Sequence, residues 1–276
     1  MSFVINPYRF AAAGGTAIAT PTHFWNLNNV DRVDSADGLY DLGSKSPRNG
    51  GDSDWDLTNV SCTTSATGGL NSQPVVSMTE TAYLHRAGTD IAWDSTNDDS
   101  ISVSTWVRAT TLAGSVDTTR FIVAWRGGAY AVEPWIFDLE WKYVASNPNN
   151  IWFTNLDVDY DFRRAIDSAT APSTGTWYHI VGTYANGVSK LYVDGVLTAT
   201  DSTGNGQPMS VFESTTAMPF AIGTPASDKG KTDGTTGHAG EIGATGIWDT
   251  ELTAGEVAAL FGSGTTMLYY ADYTFV

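Results

Sequence analysis

The chain has 276 residues, of which 16% are charged, and it contains 28 glycines, 10 tryptophans and 12 tyrosines. This composition is typical of a turn-rich all-β protein, and the length is sufficient to bury a full core. Thirty acidic and 14 basic residues give a net charge of −16, whose simplest effect is to keep the protein dispersed. Such a surface repels phosphate groups and anionic lipids, so we expect no nucleic-acid partner and no membrane partner.

Residues 1–20 form an apolar segment ahead of the first strong strand pattern. They hold Phe3, Ile5, Tyr8 and Phe10 between proline, glycine and alanine residues, which makes them too apolar for a free tail. Two interpretations stay open: a first strand packed onto the domain, or a docking arm for a partner or a sister subunit. The opening resembles the starts of some phage tail and head proteins, which implies that the partners of residues 1–20 are other virion proteins. No lysine or arginine precedes an apolar stretch as in a secretory signal, so we expect synthesis in a host cytoplasm.

The first long strands are predicted by alternation and by continuous apolar runs. Ile101, Val103, Thr105 and Val107 share one face of a predicted strand, with polar residues and a tryptophan on the other. Residues 121–125, FIVAW, are apolar on both faces. They predict a central strand that is covered on both sides.

A second alternating region predicts a long hairpin. In residues 135–143 the odd positions are large and apolar, whereas Asp138 and Glu140 lie at even positions. The Asn- and Pro-rich residues 146–150 predict a turn, after which the alternation resumes over residues 156–163. The polar face of this second run carries Asp157, Asp159, Asp161 and Arg163. We expect one face of the hairpin to be apolar and the other to be acidic and solvated.

Residues 176–204 carry the strongest strand and turn signals of the chain. Three runs of β-branched and aromatic residues are separated by Asn186-Gly187 and Asp194-Gly195. These dipeptides favour two-residue hairpin turns, because both central positions tolerate positive φ. The pattern predicts a three-stranded antiparallel meander. Its sequence, W-Y-H-I-V-G-T-Y-x-N-G-x-x-x-L-Y-V-D-G, resembles the central signature of LamG-like (concanavalin A-like) jelly-roll domains.

The resemblance covers residues 22–262, since ISVSTWVR, FAIG and the closing GEIGATGIW also match strands of that family. The closing strand precedes a short helix with a capping box formed by Thr253 and Glu256. The resemblance implies an all-β fold, a two-sheet antiparallel β-sandwich with one short helix near the C-terminus. Domains of this family are mostly binding or adhesive, and some are fused to enzymes. The predicted organisation is a docking arm at residues 1–20, a jelly-roll domain at 21–264 and a last strand or arm at 265–276.

Catalytic motifs are missing from the sequence. Glycoside hydrolases of the family that this sequence resembles carry a strand with the pattern E-x-D-x-x-E. This sequence lacks that pattern and has only the acid pair Asp138 and Glu140, two positions apart. The four histidines have no metal-ligand spacing, and His179, inside the structural signature, is expected to serve packing. We therefore expect no enzymatic activity. A polysaccharide-degrading enzyme that uses Asp138 and Glu140 is the alternative.

The resemblance also implies a calcium site, since LamG-like domains often hold one ion with carboxylate and backbone oxygens. In many relatives an aspartate of the closing strand contributes, but this sequence has Gly243 there, with Glu241 nearby. That departure leaves Asp157, Asp159 and Asp161 as the candidate calcium ligands, together with loop oxygens. Simple hydration of the same face is the competing interpretation.

Carbohydrate binding needs an aromatic platform and a few planar polar groups. The strict alternation of Trp135, Trp141 and Tyr143 favours their burial between sheets, so we expect a sugar to bind on the acidic face instead. The residues predicted to bind it are Asp157, Asp159, Asp161, Arg163, Glu140 and the loop aromatic Tyr130.

These observations favour a non-catalytic β-sandwich of a virion, a decoration, fibre or tail protein that binds a cell-surface or extracellular glycan. A purely structural capsid or tail protein without glycan binding is one alternative, and a calcium-dependent secreted lectin is another. The expected location is the virion surface or, for the lectin, the extracellular medium. A homo-oligomer is compatible with each of these functions.

Overall fold

The computed structural model describes residues 17–28, 42, 56–86, 100–112, 119–126, 135–144, 147–157, 161–170, 172–204, 206–207, 209, 220–224, 237–262 and 264. The strands are β1 (His23–Trp25), β2 (Thr58–Val60), β3 (Thr63–Ser65), β4 (Val75–Met78), β5 (Tyr83–Arg86), β6 (Ser100–Thr111), β7 (Thr119–Arg126), β8 (Trp135–Val144), β9 (Asn147–Leu156), β10 (Phe162–Asp167), β11 (Trp177–Ala185), β12 (Val188–Val193), β13 (Val196–Asp201), β14 (Phe220–Ile222) and β15 (Ala239–Trp248). A single turn of 3₁₀ helix spans Leu70–Ser72, and α1 spans Ala254–Phe261. Within these residues no helix has the length and apolar character needed to cross a membrane.

The described strands form two antiparallel sheets, which confirms the predicted β-sandwich. The eight-stranded sheet has the order β13-β12-β11-β6-β15-β4-β3, with β1 also paired to β15. The seven-stranded sheet has the order β10-β9-β8-β7-β14-β5-β2. Many neighbours are distant in sequence, as the connections of a jelly roll require. The predicted strand at residues 101–108 is the middle of β6, and the predicted doubly covered strand at 121–125 lies inside β7.

Aromatic side chains fill the space between the two sheets. Trp125 of β7 meets Phe137 of β8 and Phe220 of β14 edge-on, with ring centres 6.5 and 6.3 Å apart. All three are fully buried, and this edge-to-face arrangement is the one that the ring quadrupoles favour. Phe153 of β9 approaches so close to β11 that a Cβ at Gly182 would lie 2.2 Å from the ring. Glycine at this position therefore sets how near the two sheets can come.

The meander at residues 176–204 is confirmed as β11, β12 and β13. Asn186 and Gly187 have φ of 48° and 80°, and Asp194 and Gly195 have φ of 50° and 79°. Two consecutive positive φ values define the predicted two-residue turns. Asp194 adds a hydrogen bond, since its Oδ1 accepts from the backbone N of His179 at 2.9 Å.

The outer face of the eight-stranded sheet is covered by α1 and by the segment before β1. Ile18 is buried in a cluster with Trp248 and the α1 residues Val257 and Leu260. The capping box is present, because Thr253 and Glu256 exchange side-chain-to-backbone hydrogen bonds. Glu256 Oε1 also accepts a hydrogen bond from Ala19 N at 2.9 Å.

The end of the predicted arm contacts the sandwich. Ile18 is buried, Ala19 N donates a hydrogen bond to Glu256, and Trp248 Nε1 donates one to Ala19 O. Which of the two interpretations holds for residues 1–20 stays a prediction. Residues 1–16 and the predicted last strand at 265–276 lie outside the described residues.

The predicted hairpin exists as β8 and β9, but its turn and its second strand were misplaced. Residues 147–150 belong to β9, and Val144 pairs with Asn147. The connection is thus residues 145 and 146, not 146–150. The second alternating run is not one strand either, since β9 ends at Leu156 and β10 begins at Phe162.

Candidate functional site

The strand register aligns several polar side chains in one row across the outer face of the seven-stranded sheet. Phe137 and Leu139 of β8 point into the core, so Asp138 and Glu140 point to the opposite face. Residues directly opposite each other in an antiparallel pair share a face. From β10 to β5 the row that contains Asp138 is Arg164, Thr154, Asp138, Ala124, Ala221 and His85.

The centre of this face is covered. Asp138 has no exposed surface, Glu140 is 6% exposed and Thr154 is 2% exposed. The prediction of a solvated acidic face is therefore wrong at Asp138 and Glu140, and Glu140 is not an open sugar ligand. The alternation of the sequence correctly assigns the faces of the β8 side chains, but it carries no information about which other segment lies over that face.

Trp152 of β9 lies on the same face, nearer the sheet edge, and is partly exposed. It is half-buried, and it is the register partner of Glu140 on β8 and of Ile166 on β10. The Lys142 ammonium lies 4.5 Å from the centre of its ring, and the Arg164 guanidinium carbon lies 5.8 Å from it. Trp152 is thus a partly exposed aromatic side chain between two cations from the neighbouring strands.

Phe162 extends this aromatic surface along β10. The Arg164 guanidinium carbon lies 4.5 Å from the centre of the Phe162 ring, so the cation contacts two aromatic rings. Such contacts hold an arginine in place without neutralising its charge. We refer to Lys142, Trp152, Phe162 and Arg164 as the edge aromatic cluster.

The sequence analysis missed Trp152, although a signal for it was present. The run IWFT, residues 151–154, is rich in the β-branched and aromatic residues typical of a strand. Assigning residues 146–150 to a turn removed the start of β9 and left this run without a strand. A two-residue connection alone would pair Glu140 with residue 151, and only the register shift between Lys142 and Val144 brings Trp152 opposite Glu140.

Asp157 and Arg163 form a buried ion pair at the edge of the sandwich. Arg163 Nε donates to Asp157 Oδ2 at 2.7 Å, and Nη2 contacts the same oxygen. Asp157 Oδ1 accepts a hydrogen bond from the backbone N of Asp161 at 2.9 Å. Arg163 Nη1 also donates to Thr203 Oγ1, just beyond β13 of the other sheet. The pair therefore closes the turn between β9 and β10 and ties the two sheets together.

The structure separates the predicted sugar-binding residues. Arg163 is the register partner of Asn155, whose side chain accepts a hydrogen bond from Ser189 of the opposite sheet. Asp157 and Arg163 thus face the interior, whereas Glu140 faces outward, and they do not share a site. The Asp161 side chain is 70% exposed, with an oxygen 3.6 Å from Arg163 Nη2. Asp159 and Tyr130 lie outside the described residues.

The described carboxylates do not fit a calcium ion. Both oxygens of Asp157 already accept hydrogen bonds, and the guanidinium of Arg163 would repel a cation from the same oxygen. Glu241 is held by both Arg108 Nε and Nη2 at 3.0 Å. Within the described part of the chain, no three His, Cys, Asp or Glu side chains are placed to hold a metal ion. A site that includes Asp159 stays a prediction.

His179 and Ser104 form a buried pair whose role is packing. Ser104 Oγ and His179 Nε2 are 2.9 Å apart, and the residues are 5% and 1% exposed. Trp106 and Phe261 pack against the imidazole, with ring centres 4.9 and 6.0 Å away. Burial lowers the pKa of His179 to about 3, so the ring is neutral. A substrate has no path to this serine, which argues against a Ser–His nucleophile here.

The family comparison agrees with the fold. A family model described as the concanavalin A-like lectin/glucanases superfamily matches residues 85–258. These residues include strands β6 to β15, with the hairpin of β8 and β9 and the meander, and most of α1. A search of curated proteins finds no match to the sequence.

Solved structures with a similar fold include both binding domains and an enzyme. Domain 4 of an extracellular arabinanase from Geobacillus stearothermophilus, in complex with arabinotriose, has a TM-score of 0.55 at 17% identity, covering 88% of this chain and 98% of the domain. The binding domain of botulinum neurotoxin serotype D has a TM-score of 0.55 at 12% identity, covering 89% and 51%. Trypanosoma rangeli sialidase, in complex with the inhibitor DANA, has a TM-score of 0.52 at 14% identity, covering 91% and 34%. At these identities the likeness shows the fold alone.

Proposed function

The chain belongs to the concanavalin A-like lectin/glucanases superfamily, and from that membership we propose that it is a non-catalytic domain that binds carbohydrate at the edge aromatic cluster. Carbohydrate sites combine an aromatic surface with a small number of oriented polar groups. The observation that carries the proposal is the half-buried Trp152 on the outer face of the seven-stranded sheet, with Lys142 and Arg164 beside it.

The similar structures support binding as the more general role of this fold. The arabinanase domain, which this chain covers over 98% of its length, was solved with arabinotriose bound. Arabinose oligosaccharides are therefore the first neutral ligands to try. The fold by itself decides nothing about the ligand.

The burial of the acid pair supports a non-catalytic role. Two carboxylates cleave a glycosidic bond only when both reach the substrate. Asp138 has no exposed surface and Glu140 is 6% exposed. The alternative, a polysaccharide-degrading enzyme, requires this face to open. Incubation with neutral and acidic polysaccharides tests it, and released reducing ends that disappear in Glu140→Gln would establish it.

A glycan panel tests the binding proposal. We expect the wild-type protein to bind at least one oligosaccharide class with a Kd in the micromolar to millimolar range, and Trp152→Ala to lose about tenfold or more in affinity, because an aromatic platform contributes about 1–2 kcal/mol of contact energy. The control is Trp177→Ala, a half-buried tryptophan on the opposite sheet. A panel without binding, or a Trp152→Ala protein that binds like wild type, would contradict the proposal.

Adhesion is the use that we propose for this binding, on a virion surface or in the extracellular medium. Residues 1–16 would then make the contact with other virion proteins, supported by the apolar side chains of Phe3, Ile5, Tyr8 and Phe10. Cross-linking of the native assembly tests this: links from residues 1–16 to another protein support it. Tight assembly contacts together with a glycan panel that shows no binding would favour the purely structural alternative.

A further inference from the structure

We propose that the ligand of the edge aromatic cluster is an anionic saccharide, one that carries a carboxylate or sulfate group. This inference rests on the proposed function, since it names the ligand class of the same site. Its basis is the pair of positive charges at Trp152, in a chain whose net charge is −16.

The two cations converge on one ring from opposite sides. Arg164 pairs with Thr154 and Lys142 pairs with Asn150, so the two side chains start at diagonal corners around Trp152. Their charged groups nevertheless lie within about 6 Å of the same ring centre, the range over which an aromatic ring attracts a cation. A saccharide that contacts this cluster would meet two positive charges beside one aromatic ring.

Lys142 and Arg164 differ from four other described basic residues, which are paired with carboxylates. Ion pairs join four other basic residues to acidic ones: Arg108 to Glu241, Arg120 to Glu80, Arg163 to Asp157 and Lys190 to Glu251. No carboxylate of the described residues lies within ion-pair distance of Lys142 or Arg164. Their remaining hydrogen-bond donors are therefore open to an anionic ligand, and hydrogen bonds to charged groups are the stronger ones.

Arg164 is the more accessible of the two cations. It lies on the edge strand β10 and is exposed, whereas Lys142 lies on β8, farther from the edge, and is partly buried. The acidic group of the ligand should therefore contact Arg164 first, with Lys142 as the second contact.

Titration with matched acidic and neutral oligosaccharides tests the inference. The probes are oligogalacturonate for the carboxylate class, a sulfated galactan oligosaccharide for the sulfate class, and arabinotriose and galactotetraose as neutral controls. We expect the acidic probes to bind at least tenfold more tightly, and affinity to fall as salt rises. Arg164→Gln should weaken acidic-probe binding by about tenfold, and Lys142→Gln/Arg164→Gln by more, because each charge-assisted hydrogen bond contributes about one decade.

Control variants separate this effect from net charge and from folding. Lys190→Gln changes the net charge equally on the other sheet and should leave all affinities unchanged, and circular dichroism with thermal unfolding establishes that each variant is folded. Neutral probes that bind as tightly as acidic ones, and that respond only to Trp152→Ala, would overturn the anionic assignment while leaving the proposed function intact. Absence of binding by every probe would overturn both.

Discussion

At the residue scale, Asp157 and Arg163 show how a polar pattern can have a structural purpose. The alternating sequence presents them as part of an acidic surface, whereas the fold turns both toward the opposite sheet. The sequence reports only that both residues are polar members of one alternating run, residues 156–163. It does not report that the chain turns between them and joins a carboxylate to a guanidinium. A buried ion pair of this kind fixes geometry more than it stabilises.

Removing only Asp157 should nevertheless destabilise the protein, because the charge of Arg163 stays behind. Asp157→Asn leaves the Arg163 guanidinium, whose side chain is 11% exposed, without its buried counter-charge, since Asp161 is exposed and 3.6 Å away. The expected loss is about 3 kcal/mol in the free energy of unfolding. Urea denaturation measures it. The matched control is Asp161→Asn, which should change stability by less than about 0.5 kcal/mol because that side chain is 70% exposed. Equal losses in the two variants would contradict this assignment.

Two buried histidines make stability depend on pH. Burial lowers the pKa of His179 to about 3 and that of His238 to about 4, both from 6.5. Between these values and 6.5 the unfolded chain binds protons that the folded chain does not, so stability falls as the pH drops below about 6.5. The slope contributed by each fully buried ring approaches about 1.4 kcal/mol per pH unit.

We expect the free energy of unfolding to be lower at pH 5 than at pH 7, and His179→Gln to reduce that difference. Denaturation at several pH values between 5 and 7 measures both. His85→Gln is the comparison: burial lowers the pKa of His85 as well, but this residue is only half-buried, so its replacement should reduce the difference less. If wild type and His179→Gln respond to pH equally, the pKa of His179 is not lowered in the folded state.

At the element scale, local turn chemistry predicted the meander and failed for the hairpin. Asn186-Gly187 and Asp194-Gly195 lie where their positive φ preference requires. In contrast, the Asn- and Pro-rich residues 147–150 lie inside β9. The register between β8 and β9 shifts between Lys142 and Val144, opposite this stretch. An irregular position of that kind tolerates Pro148, which has no backbone N–H to donate.

The contact between β9 and β11 gives a test of sheet spacing. Gly182→Ala would put a Cβ 2.2 Å from the Phe153 ring, so the ring or the strand must move, and we expect a loss of about 1–3 kcal/mol in stability. A double-mutant cycle with Phe153→Leu identifies the cause. The smaller side chain should recover part of the loss, so that the double variant is more stable than the sum of the single effects predicts. Strict additivity would show that another contact is responsible.

At the scale of the whole molecule, the sequence predicted the fold better than the site. Hairpin dipeptides, alternating strands and the resemblance of residues 176–204 led to a two-sheet sandwich, which the structure confirms. The position of the binding site depends on which segments cover the sheets. Asp138 is fully buried, whereas Trp152 is partly exposed. Both residues lie on the same face, and only tertiary structure distinguishes them.

The most direct test of the account follows the indole N–H of Trp152 by NMR while a saccharide from the glycan panel is added. Trp152→Phe assigns the resonance. The account predicts that this signal shifts in proportion to saturation, whereas the fully buried Trp125 and Trp141 keep their positions. Saturable binding that leaves the Trp152 resonance unchanged would contradict the placement of the carbohydrate site on the outer face of the seven-stranded sheet.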